Sequence, residues 1–213
     1  MTASTVDTAR LVAWLGRYRD LVVENKDALT ELDTAIGDSD HGANMARGMN
    51  AVVEKLEAAP PASPAELFKG VGMTLVSTVG GAAGPLYGTF FLRLAPAVGD
   101  ADSLDAAALA TALRAGLDGV VARGKAEAGD KTMFDALAPA VDALDAAVSA
   151  GSPLAEATQA AADAAAAGRD ATAPLQARKG RASYLGERSV GHIDPGSAST
   201  ALLLQALAET VAA

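Results

Sequence analysis

Apolar residues recurring at helical spacing constrain this chain more than any other feature. Leu11, Leu15, Tyr18 and Val22 fall on one face of a helix, as do Leu109, Leu113, Leu117 and Val120. No alternating β-branched run with hairpin punctuation is present, so the pattern predicts an all-α fold. Aromatic residues make up only 4% of the chain, against 50% hydrophobic residues overall. The core must therefore be built from Ala, Leu and Val between closely approaching helices. At 213 residues, without a linker or a repeat of fixed period, the chain reads as one domain, 1–213.

The helices expected from periodicity and punctuation run over 5–25, 26–32, 41–56, 64–79, 85–98, 103–123, 130–149, 154–169 and 195–211. Several starts carry explicit signals. Ser63-Pro64-Ala65-Glu66 is a capping box with Pro at the first helical position, and Asp194-Pro195-Gly196 opens the last helix. Residues 176–193 read as a Gly- and Arg-containing loop.

Composition removes several classes of function. A net charge of −9 leaves nothing to replace counterions on a nucleic-acid backbone, so nonspecific nucleic-acid binding is excluded. Without cysteine there are no disulfides, zinc-thiolate sites or thiol nucleophiles. Neither a signal-peptide pattern at residues 1–7 nor a membrane-length apolar run is present, and the expectation is a cytoplasmic protein with no membrane association.

Four segments can carry chemistry. In Glu31-Leu-Asp-Thr-Ala-Ile-Gly-Asp-Ser-Asp-His-Gly42, three carboxylates, Asp33, Asp38 and Asp40, lie within eight residues around Gly37. Converging carboxylates repel unless a cation lies between them, and Mg2+ takes such oxygens while completing its shell with substrate phosphates. The same residue types also make ordinary turns, with Asp40 as a helix N-cap, so the segment alone leaves both readings open. It is not an EF-hand, because the alternating ligands and the Glu at the twelfth position are missing. Gly80-Gly-Ala-Ala-Gly84 before Pro85 can present backbone N–H groups to phosphate or can serve as a tight interhelical turn. It lacks the Gly-Lys-Ser/Thr of a Walker A loop. Arg123 to Met133 is a polar connection. Arg178-Lys-Gly-Arg-Ala-Ser-Tyr-Leu-Gly-Glu-Arg188 is the one dense basic stretch of an acidic chain, followed by His192 and Asp194 as further candidate contacts. Together these are parts suited to positioning a nucleotide polyphosphate for phosphoryl transfer.

Leu32 to Gly42, Gly80 to Gly88, Gly124 to Met133 and Arg178 to Arg188 through Asp194-Pro-Gly196 closely resemble the dihydroxyacetone kinase L-subunit family, in order along nearly the whole chain. The resemblance implies an eight-helix antiparallel barrel with ADP (or ATP) and two Mg2+ ions at one end. It implies Asp33, Asp38 and Asp40 as metal ligands, and His41, Gly42 and Asn44 beside the phosphates. Gly81, Ala82, Ala83 and Gly84 would hold the phosphates through backbone N–H groups. Gly124 and Met133 would border the adenine, Arg181 would meet the phosphates, and Asp194, Pro195 and Gly196 would close the site. Arg181 and His41 are the expected phosphoryl-positioning residues, and no catalytic nucleophile is expected on this chain. Some relatives carry Ser where this chain has Ala83.

The implied partners are a K subunit that binds dihydroxyacetone, a phosphotransferase-system phosphocarrier subunit and, in some systems, a transcriptional regulator. Two other readings are an ATP-dependent kinase for a keto-sugar and a non-catalytic nucleotide-sensing module. The intact Asp trio argues against the last.

Overall fold

The computed structural model describes residues 4–213; residues 1–3, part of the expected single domain, lie outside the described residues. Nine α-helices and one 3-10 segment account for most of the described chain: α1 (Thr8–Glu24), α2 (Lys26–Ile36), α3 (His41–Ala58), α4 (Pro64–Thr78), α5 (Ala83–Val98), α6 (Ala106–Gly124), α7 (Phe134–Ser149), α8 (Leu154–Ala171), the 3-10 segment Arg181–Ser189 and α9 (Pro195–Ala212). Eight of the helices form a closed ring. Going round it, α1 packs on α3, α3 on α4 and so on to α9, which packs back on α1. Their directions alternate, so the ring is an antiparallel barrel. The ninth helix, α2, stands outside the ring and packs on α3, α9 and the 3-10 segment.

Small residues set the spacing between helices. A β-carbon on Gly72 of α4 would come within 2.8 Å of the Gly88 carbonyl on α5. On α8, Ala157, Ala161 and Ala165 are fully buried. Four aromatic residues form one cluster: Trp14, Phe68, Phe90 and Phe91 pack with ring centroids 5.1 to 6.4 Å apart. Trp14 also donates its indole N–H to the Leu203 carbonyl at 2.9 Å, tying the first ring helix to the last.

Two short strands depart from the all-helical expectation. Residues Thr5–Asp7 (β1) pair antiparallel with Ser103–Asp105 (β2), burying Val6 and Leu104. The helices expected from 5 and 103 therefore begin three residues later. Each start is set by an aspartate: Asp7 accepts the N–H of Arg10 at 2.8 Å, and Asp105 accepts that of Ala108 at 2.8 Å. A three-residue strand paired across a hundred residues leaves no local period to read.

Three other boundary differences bear on the site. Helix α2 continues to Ile36, so Asp33 lies on its last turn. Helix α5 begins at Ala83 rather than Pro85. Helix α7 starts at Phe134 rather than Asp130, because Lys131 is left-handed (φ 63°) and the Asp130 carboxylate closes a turn onto the Glu127 N–H at 2.9 Å. The Ser63 capping box forms in a modified version. Its hydroxyl accepts the Glu66 N–H at 3.2 Å, while the Glu66 carboxylate reaches Ala62 rather than Ser63. Among the described residues, no helix is long and apolar enough to cross a membrane.

Candidate nucleotide and metal site

Alternating helix direction brings the N-termini of α3, α5, α7 and α9 to one end of the barrel, where they surround a cleft of about 740 Å³. A helix N-terminus carries N–H groups without partners inside the helix and the positive end of its dipole, which favours anions. Asp33 and Asp194 already accept some of those N–H groups at α3 and α9. The volume lies in the range of small-molecule sites.

The three aspartates meet on one side of this cleft. One side-chain oxygen from each of Asp33, Asp38 and Asp40 lies within 4.8 Å of the others. Their positions follow from local structure. Asp33 sits on the last turn of α2 with its carboxylate facing the start of α3. There its Oδ2 accepts the N–H of Asp40 at 2.8 Å and of His41 at 3.1 Å. Asp40 holds the expected N-cap position of α3, yet its side chain makes no cap hydrogen bond, and Asp33 supplies the acceptor instead. The Asp40 carboxylate is thereby left for other work. Gly37 is required for a reason the sequence did not reveal. Its φ is negative, at −141°, so no left-handed backbone is involved, and the constraint is room: a β-carbon would collide with Asp33 Oδ1.

This donor set fits a hard divalent cation. It is all oxygen, it converges, and among the described residues the single cation paired with it is Arg181, whose Nε lies 3.0 Å from Asp38 Oδ2.

Most of the other expected site residues also line the cleft: His41, Asn44, Gly81, Ala82, Ala83, Gly124, Met133, Arg181, Asp194, Pro195 and Gly196. Gly42 and Gly84 do not. Both sit behind the lining where chain segments meet: a β-carbon on Gly42 would collide with the Lys26 carbonyl, and one on Gly84 with the Val79 carbonyl. His192 is exposed and absent from the lining.

Burial pushes His41 below the ordinary histidine value, opposed by the carboxylates of Asp33 and Asp40. Its Nε2 lies 2.9 Å from Ser199 Oγ, which in turn meets Tyr87 Oη at 2.7 Å. Asp194 caps α9 by accepting the Ser197 N–H at 2.6 Å. Burial raises its carboxyl to about 7, despite that hydrogen bond.

Sequence reasoning passed over Tyr87 and Lys131. Tyr87 is buried beneath the cleft, and Lys131 is 1% exposed. A lysine in a polar loop gives no signal that it will turn inward.

Comparisons with known proteins identify the family. A family model described as "DAK2 domain" matches residues 35–209. The chain is 46% identical to the ADP-binding subunit DhaL of PEP-dependent dihydroxyacetone kinase 1 from Listeria innocua, covering 97% of this chain and 98% of that one. It is 47% identical to the corresponding DhaL subunit from Escherichia coli K12, covering 96% and 97%. The crystal structure of the C. freundii dihydroxyacetone kinase in complex with AMP-PNP and Mg2+ superposes with a TM-score of 0.72 at 28% identity. That match covers 98% of this chain but only 34% of the C. freundii one. Fold, site geometry and similarity over almost the full length converge: the chain belongs to the DAK2 domain family.

Proposed function

We propose that this chain is the ADP-binding subunit of a dihydroxyacetone kinase, holding the nucleotide with two Mg2+ ions for phosphoryl transfer. The observation that carries the reading is the Asp33, Asp38 and Asp40 trio at a nucleotide-sized cleft ringed by four helix N-termini. Near full-length similarity to separate ADP-binding subunits supports it.

In this reading the three aspartates hold the metal, and the turn from Gly81 to Ala83 offers backbone N–H groups to the phosphates. Met133 and Gly124 flank the base, and Arg181 approaches the phosphates from the basic loop. Ala83 offers no hydroxyl, so that turn works through its backbone. Bound Mg2+ would neutralise charge on the phosphoryl oxygens, while the chain's residues orient the nucleotide and exclude water. Neutral His41, held by Ser199, contributes position rather than charge.

The phosphoryl group enters from a phosphocarrier subunit driven by phosphoenolpyruvate and leaves to dihydroxyacetone on a K subunit, in the cytoplasm. The test is turnover in a system reconstituted with both partners, supplied in parallel with phosphoenolpyruvate-derived phosphate or with free ATP. Turnover with the first donor and stoichiometric ADP in the heat-denatured supernatant are expected. Turnover with ATP alone would move the assignment to an ATP-dependent kinase. Asp38→Ala is expected to abolish transfer, and undiminished activity in that variant would remove the kinase reading.

A further inference from the structure

Lys131 carries a buried charge that no step above uses. Its side chain is 1% exposed, although it lies in the connection between α6 and α7, and its backbone is left-handed at φ 63°. Among the described residues, no carboxylate lies within hydrogen-bond distance of the ammonium. It donates instead to three carbonyls: Ser189 at 2.7 Å, Leu175 at 3.0 Å and Ala173 at 3.3 Å. Three donors thus meet three acceptors, which satisfies the group completely. Burial pushes the ammonium below the ordinary lysine value, and the Asp194 carboxylate opposes this.

The position of those carbonyls matters. Ala173 and Leu175 lie on the chain entering the basic loop, and Ser189 lies on the chain leaving it. Neighbouring bonds close the same base: the Ala177 N–H donates to Ser189 Oγ at 2.9 Å, and the Gly191 N–H to the Ala173 carbonyl at 2.8 Å. A further bond joins this loop to the α6–α7 connection, from the Arg178 N–H to the Asp130 carbonyl at 3.1 Å. The connection itself is rigid. Asp135 accepts the Gly129 N–H at 2.6 Å and the Thr132 N–H at 2.8 Å. Thr132 and Met133 line one wall of the cleft, while Arg178, Lys179 and Arg181 line another. Lys131 is the side chain that joins the two.

We propose that Lys131 is a positioning residue for nucleotide binding and phosphoryl transfer. Its ammonium clamps the base of the 173–191 loop and so fixes Arg181 relative to the aspartate trio. The proposal rests on the nucleotide-binding reading for its catalytic part, and on geometry alone for its clamp.

The test compares the wild-type chain with Lys131→Met, which keeps the bulk and removes the charge, and Lys131→Arg, which keeps the charge. Each is assayed well below its own melting temperature for tryptic cleavage within 178–188, for ADP release in Mg2+, and for kcat and KM in the reconstituted system. Lys131→Met should be cut within 178–188 at least tenfold faster than wild type, release ADP at least tenfold faster and lose kcat. Lys131→Arg should restore part of each. If Lys131→Met does not fold, Lys131→Gln takes its place with the same expectations. Wild-type protection and ADP retention in the neutral variant overturn the proposal, as does cleavage spread evenly over the barrel. Faster cleavage of the loop in Lys131→Met, when the folded wild type itself does not bind ADP, keeps the clamp and removes the nucleotide reading instead.

Discussion

The guanidinium of Arg181 and the carboxylate of Asp38 form an ion pair 3.0 Å apart at the mouth of the cleft, joining the basic loop to the acidic turn. Both side chains are substantially exposed, at 69% and 37%, so the pair adds little to the stability of the fold. On the proposed metal-binding reading its significance is competition, because the arginine pairs with a carboxylate that the divalent cation would share.

Arg181→Gln is therefore expected to shift two affinities in opposite directions. Mn2+ binding without nucleotide should tighten, since the competing cation is gone. ADP binding in Mg2+ should weaken by about tenfold or more, the loss expected for a charge-assisted hydrogen bond worth about 1.5–3 kcal/mol. Titration calorimetry on both ligands checks this, and a change of the same sign in both would show that the pair does not compete.

Gly37→Ala should separate the site from the fold. The added methyl would collide with Asp33 Oδ1 and turn that carboxylate away from its place. The start of α3 then loses the acceptor for two N–H groups, a cost of about 1 kcal/mol. The barrel should still fold, with a modestly lower melting temperature, while Mn2+ affinity falls at least tenfold. Undiminished Mn2+ binding would show that Asp33 is not part of the metal site.

Asp194 gives the fold a pH dependence of defined sign. Its carboxyl is raised to about 7 by burial, so between about 3.8 and 7 the folded state binds more protons than the unfolded one. The stability of the wild-type chain, free of metal and nucleotide, is therefore expected to fall as pH rises through that window. Asparagine caps helices as well as aspartate and carries no charge to bury. Asp194→Asn should match the wild type near pH 4 and exceed it by up to about 4 kcal/mol at pH 8. Urea denaturation across that range measures the difference, and a gap independent of pH would contradict it.

Removing the ligands should destabilise the chain. Nucleotide and metal that bind only the folded form add about 2.7 kcal/mol when present at a hundred times their dissociation constant. For a domain of this size, chelation and dialysis should then lower the melting temperature by roughly 5–10 °C. An unaltered melting curve would rule out a tightly held nucleotide.

Much of this was legible from sequence, for reasons that differ by element. The ring helices announce themselves through residues such as Leu109, Leu113 and Leu117, because burial against neighbours on both sides leaves a strong helical period. The site was legible as a set of motifs, since three aspartates clustered around a glycine, a Gly-Gly-Ala-Ala-Gly turn and an arginine-rich loop stand out in an acidic, Ala-rich chain. Division of labour within those motifs was not. Asp33 caps the helix that Asp40 was expected to cap, a fact that depends on α2 extending one turn further. The inward turn of Lys131 and the pairing of Val6 with Leu104 were also hidden, because both are decided by partners far away in the chain.

An even number of staves in a closed barrel has a topological consequence. Helix α1 sets out from, and α9 finishes at, the end opposite the nucleotide cleft, and the two lie side by side: Arg10 Nη1 donates to the Val211 carbonyl at 3.2 Å. Both attachment points for additional polypeptide therefore face away from the mouth. A barrel wired in this way can be suspended from a larger assembly at either end of its chain while its working face stays open to whatever must dock there.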